Sequence, residues 1–384
     1  MPERITAPEK PTMDPAALSA AVKARAGELG FDLVGVTGAE PSAFAEEYRD
    51  WVAQGYAGEM EYLTRNLHRR LDPGELLPNA RSIIVVGMNY YTDAEEGPGS
   101  PPADPDCALF ARYARGDDYH DVMTKRLREL LRFLQEQAGP EAEGRVYVDA
   151  GPILEREVAQ RAGLGWFGKN TLLINTKRGS YFFLGEIVTN VALEFDTPAL
   201  GGCGTCTRCL DACPTGAILE PYKVDSRRCL SYLTIELKGA IPEEFHPALS
   251  ASGNRVYGCD ICQEVCPFNR THSAARYPTL FPTEEPAFQP RDVTISSSVT
   301  DLLYLTEEEF REKFKGSPVK RAKRRGLLRN TATALCMRDD TEAIAVLEHA
   351  LTDSELLVRE AAAQALETIR LRRADREVKD DSHG

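Results

Sequence analysis

Eight of the ten cysteines fall into two interlocking runs whose spacing suits iron–sulfur chemistry. The first run is Cys203, Cys206, Cys209 and Cys213, separated by two, two and three residues, with Pro214 directly behind it. The second opens at Cys229 and resumes after 29 intervening residues with Cys259, Cys262 and Cys266, again followed by a proline, Pro267. Tetrahedral iron favours soft thiolates, and cysteines three apart on a tight turn aim several sulfurs at the corners of one cluster. The first run reproduces the bacterial ferredoxin pattern, in which the fourth cysteine crosses to the other cluster. The spacing therefore assigns one [4Fe–4S] cluster to Cys203, Cys206, Cys209 and Cys266, and a second to Cys213, Cys229, Cys259 and Cys262. Zinc ribbons use C-x2-C pairs but lack the triple run with its trailing Cys-Pro, and disulfides belong to exported chains. The chemistry is electron transfer. Cys107 and Cys336 lie outside any motif and read as buried structural thiols.

The elements around these runs change character along the chain. Residues 15–29 read as an Ala- and Leu-rich helix ending at Gly30, residues 31–36 as a buried strand, and residues 83–86 as another. Residues 92–106, rich in Pro, Gly and acids, predict a surface loop. Apolar residues at Val122, Leu127, Leu130, Leu131 and Leu134 predict an amphipathic helix over 119–138, with strands near 146–148 and 182–191. Such alternation implies an α/β domain, a sheet with helices on its faces. Near the C-terminus, residues 328–335 and 358–366 share an aliphatic-Arg, then Ala-rich pattern 30 residues apart, with a helix over 342–350 between them. This reads as a short HEAT-like repeat, or as an ordinary helical hairpin; two copies must lean on the rest of the protein for stability.

Composition narrows the class. With 46 Lys and Arg against 59 Asp and Glu, the net charge is −13, so the chain is not coated for nucleic acid as a whole. One local exception stands out. Lys320, Arg321, Lys323, Arg324 and Arg325, with Arg329 just beyond, form a basic run that contains no acid. It is either a solvated helix face or a phosphate-binding surface. The first 20 residues show neither an apolar core nor paired arginines, and the apolar stretch 83–88 is far too short to span a bilayer, so a cytoplasmic location away from membranes is expected.

Three further segments, together with the cysteine runs, carry a family resemblance. They are Val148-Asp149-Ala150-Gly151-Pro152-Ile153-Leu154-Glu155-Arg156, Gly163-Leu164-Gly165-Trp166-Phe167-Gly168-Lys169-Asn170, and Tyr257-Gly258-Cys259-Asp260-Ile261-Cys262-Gln263. Over residues 15–370 the chain resembles the epoxyqueuosine reductases. The resemblance implies a base-off cobalamin, two [4Fe–4S] clusters, and a tRNA whose wobble base carries an epoxycyclopentane ring. It implies reduction of epoxyqueuosine to queuosine, with electrons passed through the clusters to cobalamin. It divides the chain into a cobalamin-binding catalytic domain (1–199), a ferredoxin-like double-cluster module (200–275), and a linker with HEAT-like helices that contact tRNA (276–384). A cytoplasmic electron donor and a monomeric state are the matching expectations.

Within that resemblance Asp149 is the proton donor, a role that requires a desolvated setting to raise its pKa. Read from the residues alone, Asp149 equally suits capping a helix that starts near Ile153. Glu155 and Arg156, one turn on, form either a neutral i,i+1 pair or a support for the aspartate. Arg70 matches a cobalamin contact, which its guanidinium suits, since corrin side chains are amides and the nucleotide tail carries a phosphate. Ala111, Leu173, Asn175, Leu184, Ser231, Asp260 and Ile261 carry over as further cofactor contacts. The residues alone do not call for cobalamin: after Asp118-Tyr119-His120 come Asp121-Val122-Met123, so the D-x-H-x-x-G ligand pattern is absent. Trp166 and Phe167 are core aromatics or a pocket wall, with Lys169 and Asn170 facing polar ligand groups. The rivals are a cobalamin-dependent reductive dehalogenase, which lacks a use for a basic helical tail, and a non-catalytic ferredoxin-type carrier, which leaves Asp149 unexplained.

Overall fold

Four antiparallel strands form the main sheet, in the order Leu33–Gly38, Ser82–Asn89, Phe182–Thr189, Gly144–Tyr147. The structure, a computed structural model, describes residues 14–92, 106–269 and 280–381, so the expected loop at 92–106 lies almost wholly outside the described residues. Strand periodicity explains how the sheet is covered. Ile84, Val86 and Met88 point into one core, shared with the helices Pro15–Glu28 and Tyr119–Ala138. Ile83 and Val85 point into the opposite core, under the helix Glu155–Arg161. The expected sheet with helices on its faces is thus present.

The helix Tyr119–Ala138 buries Met123, Leu127, Leu130 and Leu134 along one stripe, while Val122 and Leu131 pack at its margin. Each fully buried leucine contributes roughly 1.5–3 kcal/mol. Asp118 caps its first turn by accepting the His120 N–H, and Gly139 ends it at φ +99°. That cap matters below, because it fixes three successive polar side chains at one point.

Short elements make up the cysteine-rich region: the helices Arg208–Asp211, Leu230–Ile235 and Ile261–Glu264, and the hairpin Ile218–Glu220 with Lys223–Val224. Its own apolar core is small, built on Leu230, Tyr232, Leu233, Ile241, Phe245 and Leu249. The C-terminal part is helical, with Lys323–Ala334, Thr341–Ala350 and Leu356–Asp381. The two Ala-rich segments lie in the first and third of these and share one core. That core also takes in Phe110, Val256 and Tyr257, where the strand Leu109–Phe110 pairs in parallel with Arg255–Tyr257. The divisions expected at 199/200 and 275/276 therefore cut through shared packing.

The basic run is partly structural, which corrects its reading as one cationic surface. Arg324 is buried, donating to the Leu305 carbonyl at 2.5 Å and pairing with Asp353. Arg329 is buried too, donating to the carbonyls of Leu233, Leu237 and Gly239 and so pinning the helix Lys323–Ala334 onto the cysteine-rich region. Removing one partner of a buried pair strands the other's charge, so Asp353→Ala should destabilise the fold by about 3–5 kcal/mol. Chemical denaturation of the variant measures this; a loss below about 1 kcal/mol would mean the pair behaves as an exposed one. Cys336 is fully buried as expected, whereas Cys107 is only half-buried, at a β-bridge to Ser298 on the edge of the C-terminal core. Among the described residues no helix is long and apolar enough to cross a membrane.

Candidate functional site

After the strand Gly144–Tyr147 the chain turns through residues 148–153 into the helix Glu155–Arg161. Asp149 stands on this turn at φ +55°, a left-handed conformation that costs a non-glycine residue about 1 kcal/mol or more. Tyr119 Oη donates to its Oδ2 at 2.7 Å, and His120 Nε2 lies 3.7 Å from the same oxygen. His120 Nδ1 is 2.8 Å from Asp118 Oδ1. One helix start thus delivers Asp118, Tyr119 and His120 in sequence. The Tyr119 ring is fixed between His120 and Phe183, with both centroids 4.1 Å away. The Asp149 side chain keeps 58% of its surface open to solvent.

The charges here differ from the expectation. Burial alone would raise the Asp149 carboxyl, but the His120 imidazole 3.7 Å away and the hydrogen bond from Tyr119 hold it below the usual carboxylate range. Burial opposes the charged form of His120 as well, yet the carboxylates of Asp118 and Asp149 push its pKa up to about 9. At neutral pH the dissociable proton of this group rests on His120 and not on Asp149. The carboxyls that are raised are Glu155, pushed by burial and then by the Asp149 charge to about 8, and Glu186, well above its ordinary value for the same first reason. Glu155 Oε1 accepts the Asp149 N–H at 2.6 Å. Arg156 does not bond Glu155; it donates to the Thr171 carbonyl.

Part of the basic run lies near this group. The Arg321 guanidinium sits 5.3 Å over the Tyr62 ring and makes two bonds to Glu236, at 2.7 and 3.0 Å. Its charge reaches Asp149, and that of Lys320 reaches Asp118. Lys320 and Lys323 are exposed and Arg325 is half-buried. The sequence reading passed over Tyr119 and His120 as catalytic groups, though an Asp-Tyr-His triplet at a helix cap was the available signal. Nothing in the sequence marked Tyr62.

Cys203, Cys206, Cys209 and Cys266 line one hollow, together with Lys169, Asn170, Ile174 and Phe268. Burial raises the buried thiols, and the neighbouring thiols that add to the shift sort into two sets. Cys203, Cys206 and Cys209 act on Cys266, while Cys213 acts on Cys229 and Cys229 on Cys259 and Cys262; Cys209 of the first set also reaches Cys262, last among its influences, so the two sets adjoin. Among the described residues no three ligand side chains converge closely enough to share a single ion. Lys169 N–H points at Cys203 Sγ (3.5 Å) and Ala217 N–H at Cys213 Sγ (3.3 Å). Lys169 Nζ donates to the carbonyls of Gly204 and Cys206, and Asn170 to that of Cys262. These two residues brace the cysteine loops and are not turned toward a small ligand. Trp166 is buried against Phe268, while Phe167 is only partly buried and packs edge-on to Phe44.

The remaining expected contacts lie where side chains are largely engaged. Arg70 is buried and donates to the Ile153 and Tyr62 carbonyls, its Nε lacking a partner. Asn175 closes its own turn, accepting from Lys177 and Arg178 N–H and donating to Leu164 O, so its amide is spoken for. Asp260 Oδ2 accepts the Arg112 N–H at 2.7 Å. Ala111 and Leu173 are buried, while Leu184, Ser231 and Ile261 are half-buried.

A double-cluster cysteine region joined to an α/β domain with a carboxylate–imidazole–phenol group defines an iron–sulfur oxidoreductase. The family model for epoxyqueuosine reductase QueG, DUF1730, matches residues 70–150, and that for a 4Fe-4S double cluster binding domain matches residues 202–269. The epoxyqueuosine reductase of Xanthomonas campestris pv. campestris is 41% identical over 354 residues, covering 92% of this chain and 96% of its own. A crystal structure of epoxyqueuosine reductase with an epoxyqueuosine-modified tRNA-Tyr stem loop superposes with a TM-score of 0.81 at 31% identity, over 92% of this chain and 90% of that one. That of the Bacillus subtilis enzyme, with its aspartate-bearing catalytic loop swung out of the active site, gives a TM-score of 0.79 at 31% identity over the same shares. The chain belongs to the epoxyqueuosine reductase family.

Proposed function

We propose that this protein reduces epoxyqueuosine to queuosine at the wobble position of tRNA, consuming two electrons and two protons and releasing water. The observation that carries the reading is the proximity of the Asp149–Tyr119–His120 group to the cations Lys320 and Arg321, whose charges reach Asp118 and Asp149. A proton-handling group with cations beside it suits a reactive ring presented on a nucleic acid. Single-stranded bases are splayed out for such chemistry. The test is direct: anaerobic incubation of the reconstituted protein with an epoxyqueuosine-bearing stem loop should yield the nucleoside lighter by one oxygen. No mass change under a strong reductant would overturn the reading.

The cobalamin expectation fits the chain's own groups. Both nitrogens of His120 face carboxylates, so the imidazole nearest Asp149 is not offered to a metal, as a base-off cofactor without a protein histidine requires. Arg70 has an unpartnered buried Nε, and Leu173, Leu184 and Ile261 are apolar. Arg70, Ala111, Leu173, Asn175, Leu184, Ser231, Asp260 and Ile261 would hold the group, Asn175 and Asp260 through their backbone, since their side chains are engaged. When bound, cobalamin supplies the redox chemistry, with electrons arriving by way of the two clusters; the protein supplies orientation and protons. Asp149 and His120 share one dissociable proton as a coupled pair. Ligands bound over Asp149 would displace water and favour the neutral forms, so the proton passes from His120 to the Asp149 carboxyl, which donates it to the departing oxygen.

The C-terminal helices, read as HEAT-like, carry the tRNA surface in this proposal, and the structure narrows its cations. Because Arg324 is internal, reversal of Lys320 and Lys323 to Glu is the discriminating change. It should weaken stem-loop binding and lower the log–log salt slope by about 0.9 for each duplex phosphate no longer neutralised. An unchanged titration at low salt would move the tRNA surface elsewhere.

A further inference from the structure

Glu186 stands mid-strand in Phe182–Thr189, paired across to Tyr147 and Val85, with no solvent exposure. Neither carboxylate oxygen receives an N–H or O–H from any amide, hydroxyl, guanidinium or ring among the described residues. Its contact is the carboxyl of Glu155, at the first position of the helix Glu155–Arg161. The charged and titratable groups facing this pair are few. Asp149 approaches from the turn, Arg156 from the same helix with its guanidinium turned to Thr171, and Tyr119 from the start of its own helix. Val85, opposite on the central strand, brings no charge. Two ionised carboxylates cannot stay in contact in such a place, since desolvation and like-charge repulsion both oppose the second charge. Yet Glu155 uses its other valence well: Oε1 accepts the backbone N–H of Asp149 at 2.6 Å. That bond holds a turn whose central residue is in a left-handed conformation.

We propose that Glu155 and Glu186 share a single proton and act together as positioning residues, latching the Asp149 turn in its working geometry. The proposal rests on the reading of Asp149 as proton donor. With one proton between them, Glu186 keeps Glu155 seated and Glu155 keeps the Asp149 amide. Loss of that proton puts two negative charges in contact; Glu155 is expelled, its bond to Asp149 N–H breaks, and the turn is released. No redox step or covalent change is involved. The proton leaves to bulk solvent and returns from it.

Glu186→Gln tests this, because an amide N–H replaces the shared proton permanently. Raised carboxyls lose their proton as pH climbs through the folded value, about 8 for Glu155, whereas His120 loses its own near 9. Single-turnover rates on the stem loop, each normalised to its own maximum, should fall at least tenfold, roughly, between pH 7 and 9 for the unaltered chain, and roughly twofold for Glu186→Gln. Two readouts need no substrate. Infrared spectra near neutral pH should show the carbonyl band of a protonated carboxylic acid that Glu186→Gln removes. Hydrogen exchange at the Asp149 amide, corrected for intrinsic rate, should accelerate above pH 8 only with Glu186 in place. If Glu186→Gln fails to fold, Glu155→Gln makes the same comparison, its amide oxygen still accepting from Asp149. An alkaline limb that does not move in either variant, or the absence of the acid band, overturns the proposal. Should both substrate-free signals behave as described while Asp149→Asn keeps full activity, the latch stands and the donor assignment falls.

Discussion

Asp149→Asn lowers the rate of epoxyqueuosine reduction by roughly 10²–10⁴ while the protein retains its iron and its affinity for tRNA; that factor is what a positioned general acid is typically worth. The substitution preserves shape. The Asn oxygen can still accept from Tyr119 Oη, and the backbone N–H still reaches Glu155. What disappears is the carboxyl that can take the proton held by His120 and pass it on. A second consequence checks the geometry separately. His120 owes its raised pKa to the carboxylates of Asp118 and Asp149, against burial, so losing one should bring it down from about 9 while Asp118 keeps it from falling fully. The sign follows. A histidine raised on folding stabilises the native state below its unfolded value near 6.5, and the contribution is lost as pH rises through about 9. In the variant that loss begins at lower pH. Imidazole resonances followed by NMR would report the shift. Turnover near the unaltered rate would hand the proton to another group, with Tyr119 the first to examine.

Much of the architecture could be read from periodicity. The strands at 33–38, 82–89 and 182–189 announce themselves as β-branched runs, and the helix at 119–138 as an apolar stripe ended by Gly139. Expected bounds were off by one to three residues, as strand ends are set by pairing partners that a local pattern does not see. The shared C-terminal core was not legible, because Phe110, Val256 and Tyr257 come from distant segments whose meeting is a matter of topology. Charge was the least legible quantity. The six cations at 320–329 look alike in sequence, yet Arg324 and Arg329 are internal and Arg321 is tied to Glu236, differences fixed wholly by tertiary partners. Asp149 could be singled out by its motif, but its protonation could not. That depends on Tyr119 and His120, thirty residues away, and its expected raised pKa is found instead on Glu155. Glu186 is one polar residue in an apolar strand, and only its burial against Glu155 gives it meaning.

Cys266→Ser should cost the chain one of its two clusters. Cys266 belongs by sequence to the second run, yet its thiol faces the hollow of the first, alongside Cys203, Cys206 and Cys209. Anaerobic reconstitution of the unaltered chain should give about eight iron and eight acid-labile sulfide, the stoichiometry of two four-iron clusters. Removing Cys266 leaves three thiolates in that hollow, so iron should drop toward about four per chain, with the survivor being the cluster of Cys213, Cys229, Cys259 and Cys262. Cys213→Ser gives the mirror result, a deletion in the first run that empties the site built mostly from the second. Serine keeps the size of the side chain but is a poor ligand for iron, so the backbone bonds from Gly216 N–H to Cys213 O and from Asn269 N–H to Cys266 O have no reason to change. The crossing makes a sharp distinction: if each run closed its own cluster, the spectrum lost with Cys266→Ser would be that of Cys259 and Cys262. Paramagnetic resonance of the two reduced variants separates these outcomes, because the clusters differ in burial and in the amides aimed at their thiolates, Lys169 N–H at Cys203 and Ala217 N–H at Cys213. Iron near four in the unaltered chain, or one zinc for each cysteine run, would refute the assignment outright.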